Sequence, residues 1–280
     1  MESAFFNSEQ FDKHRVLNLA EYKYNNKLNA NGYYLMGVDV GRFGCTTEVC
    51  IFKVTPTPKG VPVKQLVNLY TFDAEHFGEQ CIKLKRLFNQ YKCRVAVVDG
   101  NGLGAGLIDM LTMDTVDPDT EEILYNWGVY NDDDGVYRKM RTPDTIPNAL
   151  YIMKANQQLN SDMYSYCASQ IRNGKVRFLI DENTAKNKLL AQAQGKKMSP
   201  AKRAEYLMPY TQTTILRDQM MNLISENEGA NIILKQSNKK IKKDKVSALI
   251  YGLYYCKLQE DKRGKRGKRD IKKMMFFSKH

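Results

Sequence analysis

The chain has 280 residues, 42% hydrophobic and 26% charged, enough to bury one large domain with appendages. No run of about 18 apolar residues is present, and MESAFFNSEQ lacks a basic stretch followed by an apolar one, so neither a membrane span nor a secretion signal is read here. The net charge of +12 suits a polyanionic partner, of which nucleic acid is the usual one. Its distribution qualifies that reading: the tail 261–280 has nine Lys/Arg against two Asp, or +7, leaving +5 for the rest. The six cysteines are dispersed, with no CxxC pair and no His cluster beside them. Cys50, Cys81 and Cys93 fall in apolar stretches, so a reducing cytoplasm and no structural zinc are expected.

Residues 1–32 are polar and weakly periodic, and read as a linker or peripheral segment. Tyr33–Val40 is apolar on both faces, as a central strand should be. A glycine-bearing turn, 41–44, leads to a second strand at Thr47–Val54; TPTPKG breaks the chain, and Val63–Phe72 gives a third. The short connections predict an antiparallel meander. Phe77, Cys81, Leu84, Leu87 and Phe88 have helical spacing over 76–91. A buried strand, Arg94–Val98, ends in Asp99, and GNGLGAG opens a helix to about Leu111. Ile123–Val129 reads as a fifth strand, and 132–135 and 142–148 as loops. Further helices are expected at 161–171, 182–194, 200–208, 212–226 and 245–258, with strands at 176–180 and 230–234. Three antiparallel strands, helix, strand, helix, strand is the order of the RNase H-like α/β fold: a mixed sheet flanked by helices, its first, fourth and fifth strands parallel.

Three acids stand out by position. Asp39 ends the first strand, Asp99 ends the fourth, and Asp244 opens the last helix, whose Val246, Leu249, Ile250, Leu253 and Tyr254 form an apolar stripe. Carboxylates on adjacent strand ends and on a helix docked across them can converge, and at close range they repel unless cations intervene. Hard, oxygen-loving Mg²⁺ or Mn²⁺ fits that role, and two such ions about 3.5–4 Å apart can hydrolyse a phosphodiester. Each acid alone also has a plain reading: Asp39 and Asp99 as turn formers, Asp244 as an N-cap.

Other candidates divide in the same way. Glu48 reaches toward the same site or is an exposed sheet residue. The loop Gly100–Ala105 fits a degenerate G-x-G-x-x-A dinucleotide pattern, or gives backbone access to a metal or phosphate. The lysines of 235–245, among them Lys240, Lys242, Lys243 and Lys245, hold a DNA backbone or form a solvated loop. Asp132–Asp134 reads as a solvated turn, His14 and His76 lack ligand partners, and Trp127 reads as core.

With these residues placed, the sequence resembles the nuclease domain of the large terminase subunit of tailed bacteriophages. The resemblance rests on YYLMGVDVGRFGCTTEVCIFKV at 33–54, VAVVDGNGLGAGLIDML at 95–111 and KKDKVSALIYGLYY at 242–255, with weaker matches at 151–156 and 173–181. It implies a nuclease domain over 33–258 and a metal-binding triad of Asp39, Asp99 and Asp244, while the segment 259–280 beyond it reads from its charge as a basic, flexible tail. It further implies cutting of concatemeric double-stranded DNA during genome packaging, with two ions, in the host cytoplasm at the procapsid portal. An ATPase domain, a small terminase subunit and the portal are the implied partners. Many relatives carry another Asp soon after the first; here Glu48 is the nearest acid. No G-x-x-x-x-G-K-[ST] occurs, so an ATPase motor is not expected in this chain. Alternatives are a junction resolvase or RNase H of the same fold, an actin- or sugar-kinase-like ATPase, and a non-enzymatic DNA-binding packaging module.

Overall fold

The computed structural model describes all residues except 1–3, 29–30, 42–44, 58–59, 74–75, 103 and 278–280, and no side chains at 227–228 or 265–280. The turn expected at 41–44 therefore lies mostly outside the described residues. In chain order the elements are α1 (Ser8–Lys13), β1 (Arg15–Leu17), β2 (Tyr33–Asp39), β3 (Thr47–Thr57), β4 (Gly60–Phe72), α2 (Phe77–Tyr91), β5 (Cys93–Asp99) and α3 (Gly104–Leu111). There follow β6 (Thr115–Val116), β7 (Ile123–Leu124), β8 (Trp127–Val129), β9 (Ile146–Met153), α4 (Gln157–Arg172) and β10 (Val176–Leu179). The chain continues through α5 (Glu182–Ala191), α6 (Ala193–Lys197), α7 (Pro200–Met221), the hairpin β11 (Leu223–Glu228) and β12 (Asn231–Gln236), and α8 (Asp244–Phe277).

Eight strands form one mixed sheet in the order β1-β10-β4-β3-β2-β5-β9-β8. The meander β2–β3–β4 is antiparallel as expected, and β2, β5 and β9 run parallel. Both sheet faces are covered, which explains why β2 is apolar at every position but its last. Tyr34, Met36 and Val38 pack with α2 and α3, whereas Leu35, Val95 and Val97 pack with α4, α7 and α8.

The fifth central strand is not 123–129. That segment is broken into β7 and the edge strand β8, and the partner of β5 is Ile146–Met153. The sequence hides β9 because its first half is exposed and carries Pro147 and Asn148, the latter at φ 54°, so no alternation shows. Of the N-terminal segment expected to be a linker or peripheral, the described residues pack on the domain. Phe6 and Phe11 are buried, Phe11 stacks on Phe178 at 4.0 Å, and β1 extends the sheet beside β10. The helix expected over 212–226 ends at Met221, and 223–228 is a strand paired with β12. The helix expected to end at 258 runs on in backbone to Phe277. Among the described residues no helix is long and apolar enough to cross a membrane.

What sets α8 against the sheet is a pair of glycines. A Cβ on Gly37 would lie 2.1 Å from the Ala248 carbonyl oxygen, and one on Gly252 would lie 2.5 Å from the Phe52 ring. With neither present, helix backbone rests directly on β2 and β3. Val246, Leu249, Ile250 and Leu253 are buried as the stripe predicts, while Tyr254 is half-buried.

Candidate active site

β2 and β5 are neighbouring parallel strands in register Val38↔Val98, so Asp39 and Asp99 leave the same edge of the sheet side by side. Strand neighbours lie about 4.8 Å apart. Residues 35, 37 and 39 point to the α8 face, as do 95, 97 and 99, so both carboxylates face that helix. Its first residue is Asp244. The Lys245 backbone N–H donates to the Gln219 side-chain oxygen at 3.0 Å, so α7 fixes where α8 begins.

Burial is the largest influence on all three acids, and it raises each of them. Burial, then the charges of Asp244, Asp99 and Glu48, push the Asp39 carboxyl well above its ordinary range, with Lys243 opposing. Burial raises Asp99 as well, opposed by hydrogen bonds from the Asn101 N–H at 2.9 Å and from Tyr251. Burial raises Asp244, with Lys242, Lys243 and Lys245 pulling down and Glu48 pushing up. A divalent cation would relieve that crowding. Among the described residues no group of three or more Asp, Glu, His or Cys side chains is placed so as to hold a metal ion. An open carboxylate set still fits Mg²⁺, which keeps several waters and uses one or two carboxylates together with substrate phosphates.

Glu48 stands directly across the ladder from Asp39, on the same face, but its carboxylate is already engaged. Lys245 pairs with it at 2.5 Å, and Thr46 and Thr71 donate to it at 2.9 and 2.8 Å. Lys245 is thereby removed from the candidate DNA contacts. It is 3% exposed and its ammonium is spent on Glu48 and Thr71, so it has no route to a phosphate. Lys240, Lys242 and Lys243 are exposed on the segment leading to Asp244.

The glycine loop serves packing. A Cβ on Gly104 would meet the Asp99 carbonyl oxygen at 1.8 Å, so α3 starts against the end of β5 and leaves no gap for a pyrophosphate there. Asp132–Asp134 line a separate cavity of about 420 Å³ beyond the end of β9, Trp127 is buried against Phe88, and His14 lies against Gly174. Sequence reading missed Tyr251. It lies seven residues after Asp244, two helical turns on the same face, and that spacing was its only signal.

No protein family model matches the chain, and no curated protein sequence does. Solved structures do. A mutant nuclease domain of the large terminase subunit gp2 of bacterial virus Sf6, with manganese and β-thujaplicinol, matches with a TM-score of 0.50 at 10% identity, over 88% of this chain and 96% of that one. The large terminase nuclease from thermophilic phage G20c with bound magnesium gives 0.48 at 15%, over 90% and 96%. A large terminase from another thermophilic bacteriophage gives 0.45 at 11%, over 90% of this chain but 45% of that one. At such identities the likeness is one of architecture: this chain has the RNase H-like α/β fold of the Sf6 terminase nuclease domain.

Proposed function

We propose that this chain is a metal-dependent endonuclease that cuts double-stranded DNA, acting as the nuclease part of a phage genome-packaging terminase. One observation carries the reading: Asp39, Asp99 and Asp244, from three distant segments, come together at one edge of the sheet, where the charges of Asp244 and Asp99 add to burial in raising the proton affinity of Asp39. Mg²⁺ or Mn²⁺ is the fitting counter-charge, and the Sf6 domain of the same fold was solved with manganese. Bound there, the ions would supply an activated water and stabilise the leaving oxygen of a phosphodiester.

In this reading Asp39 and Asp99 would hold the first ion and Asp244 would complete a second position. The Tyr251 hydroxyl keeps the Asp99 carboxylate turned toward the site, and the Asn101 N–H holds its other face. Lys245 cancels the charge of Glu48, which limits how much negative charge the ions must offset. Lys242 and Lys243, exposed beside Asp244, hold the DNA backbone so that a phosphate rests over the carboxylates. The products are a 3′-hydroxyl and a 5′-phosphate. The ATPase motor, small subunit and portal act alongside, in the host cytoplasm.

The test is nicking of supercoiled plasmid with Mg²⁺ or Mn²⁺, comparing wild type with Asp39→Asn and Asp244→Asn. Cutting that needs metal and disappears in both variants is expected. Metal-dependent cutting that survives in both would remove the assignment. A panel of branched DNA and RNA–DNA hybrid separates a resolvase or RNase H, which would prefer those substrates to plain duplex.

A further inference from the structure

α2 buries Cys81, Leu84, Leu87 and Phe88 against the sheet and, in its first turn, a glutamine that is 1% exposed. Burying an amide costs free energy unless its hydrogen bonds are made. Gln80 directs its amide at the chain just past β2. Its Nε2 donates to the Gly41 carbonyl oxygen at 3.0 Å, and its Oε1 accepts from the Thr47 hydroxyl at 2.7 Å. The Thr47 oxygen in turn accepts from the Gly41 N–H at 2.8 Å. That hydroxyl also lies 3.1 Å from the Gly41 carbonyl oxygen, but it has one proton to give. With the proton on Gln80 and the amide serving the carbonyl, the three residues close a ring that satisfies both backbone groups of Gly41.

The ring sits where the sheet stops supporting Asp39. The last rung of the β2–β3 ladder is Asp39↔Glu48, and Gly41 is the second residue beyond it. The side chains of Thr47 and Gln80 therefore replace the rung that a longer strand would have made. Asp39 is held from both sides, by the ladder before it and the ring after it. Side chains alternate along β3, so Thr47 shares the α2 face with Val49 and Ile51, while Glu48 faces α8 with Asp39. On that second face the Thr46 hydroxyl donates to Glu48 at 2.9 Å, which ties down the other arm of the turn. The two arms lie close: a Cβ on Gly41 would fall 2.3 Å from the Thr46 carbonyl oxygen. An apolar side chain at position 80 could fill the same volume, but it could not hold Gly41.

We propose that Gln80 is a positioning residue for the metal site. From the opposite face of the sheet, touching neither cation nor DNA, it fixes Gly41 and with it the backbone that aims the Asp39 carboxylate toward Asp99 and Asp244. This rests on those acids holding the cations of the nuclease. Loss of a group that orients a metal ligand costs about 10–100-fold in metal affinity or activity.

The test is Mn²⁺ binding by the full chain without DNA, read from the paramagnetic resonance of free Mn²⁺, beside plasmid nicking, at a temperature well below every variant's Tm. Gln80→Met keeps the side-chain length and removes both hydrogen bonds. Thr47→Val opens the ring at its other member, and Thr47→Ser keeps the hydroxyl. Mn²⁺ affinity should fall about tenfold or more in Gln80→Met and Thr47→Val, and kcat should fall with it. The KM for DNA should not move, because Gln80 has no surface to offer a duplex. Thr47→Ser should recover most of what Thr47→Val loses. A lower Tm with wild-type Mn²⁺ affinity and kcat would overturn the assignment and leave Gln80 a packing residue. If Gln80→Met does not fold, the Val and Ser variants of Thr47 decide the matter in the same way. Wild type that binds Mn²⁺ through Asp39, as judged by loss in Asp39→Asn, yet cuts no DNA would strike the nuclease reading alone; Gln80 then stands or falls on Mn²⁺ affinity. Binding that does not depend on Asp39 would overturn both.

Discussion

Glu48 and Lys245 meet at 2.5 Å inside the protein, and each is one step from an acid of the candidate site. Glu48 is the cross-strand partner of Asp39, and Lys245 follows Asp244 in sequence. The Thr71 hydroxyl closes the arrangement, donating to Glu48 and accepting from Lys245 at 2.7 Å. The pair thus joins β3 to the first turn of α8, which are the two elements that must stay in register for Asp39 and Asp244 to face each other.

Both partners are about 5% exposed or less, so removing one leaves an unpaired buried charge. Lys245→Met should cost about 3–5 kcal/mol of unfolding free energy. Glu48→Gln/Lys245→Met, which removes both charges, should cost clearly less than the sum of the two single changes. Urea denaturation of the four proteins closes the cycle. Strict additivity would mean that the pair does not couple.

A second pair makes the role of burial testable. Lys64 is fully buried and pairs with Glu260 at 2.5 Å, with Tyr166 donating to the same carboxylate at 3.0 Å and Gln170 accepting from the lysine at 2.9 Å. Lys235 pairs with Glu226 on the exposed hairpin β11–β12, both about half exposed. Glu260→Gln should destabilise by several kcal/mol because it strands a buried ammonium, and Glu226→Gln by no more than about 1 kcal/mol. Thermal melts of the two variants decide it; equal shifts would contradict the burial argument.

Cation binding should be visible without DNA. Divalent metal that binds only the folded carboxylates stabilises by RT ln(1 + [L]/Kd), about 1.4 kcal/mol at ten times Kd, or a rise in Tm of roughly 3–5 °C for a chain of this size. Chelator should reverse the rise. Asp39→Asn should lose most of it, and in chelator this variant should melt above wild type, because a crowded buried carboxylate has been replaced by a neutral group. A metal shift of unchanged size in Asp39→Asn would place the cation elsewhere.

The parts of this fold legible in sequence are those whose pattern is set locally. β2, β3, β4 and β5 are apolar strands bounded by glycine or proline, and the α8 stripe has helical spacing, so Asp39, Asp99 and Asp244 could be placed on element ends before any coordinates. Where pairing depends on distant chain the sequence is silent. Nothing local marks Ile146–Met153 as the neighbour of β5, or Arg15–Leu17 as an edge strand beside β10. The fate of Glu48 is of the same kind. Whether it faces a metal or a lysine depends on a residue 197 positions away, and charge alone suits either outcome.

The close approach of α8 to β2 supplies the sharpest test of how the site is held. A methyl group on Gly37 would fall 2.1 Å from the Ala248 carbonyl oxygen and 2.9 Å from the Gly252 nitrogen, both backbone atoms of α8 that cannot rotate away. Gly37→Ala must therefore lift the helix, at a cost at or above the roughly 1–3 kcal/mol usual for an overfilled core. Asp244 moves with the helix while Asp39 stays with the strand. A displacement of about 1 Å between groups that share a reacting centre can cost about 100-fold in rate, so cutting should fall much further than stability. Gly78→Ala is the control, because its added methyl meets only the flexible end of Met110 at 3.6 Å. That variant should be neutral or slightly stabilising and should cut normally. If Gly37→Ala melts and cuts like wild type, backbone contact between α8 and β2 is not what aligns Asp39 with Asp244.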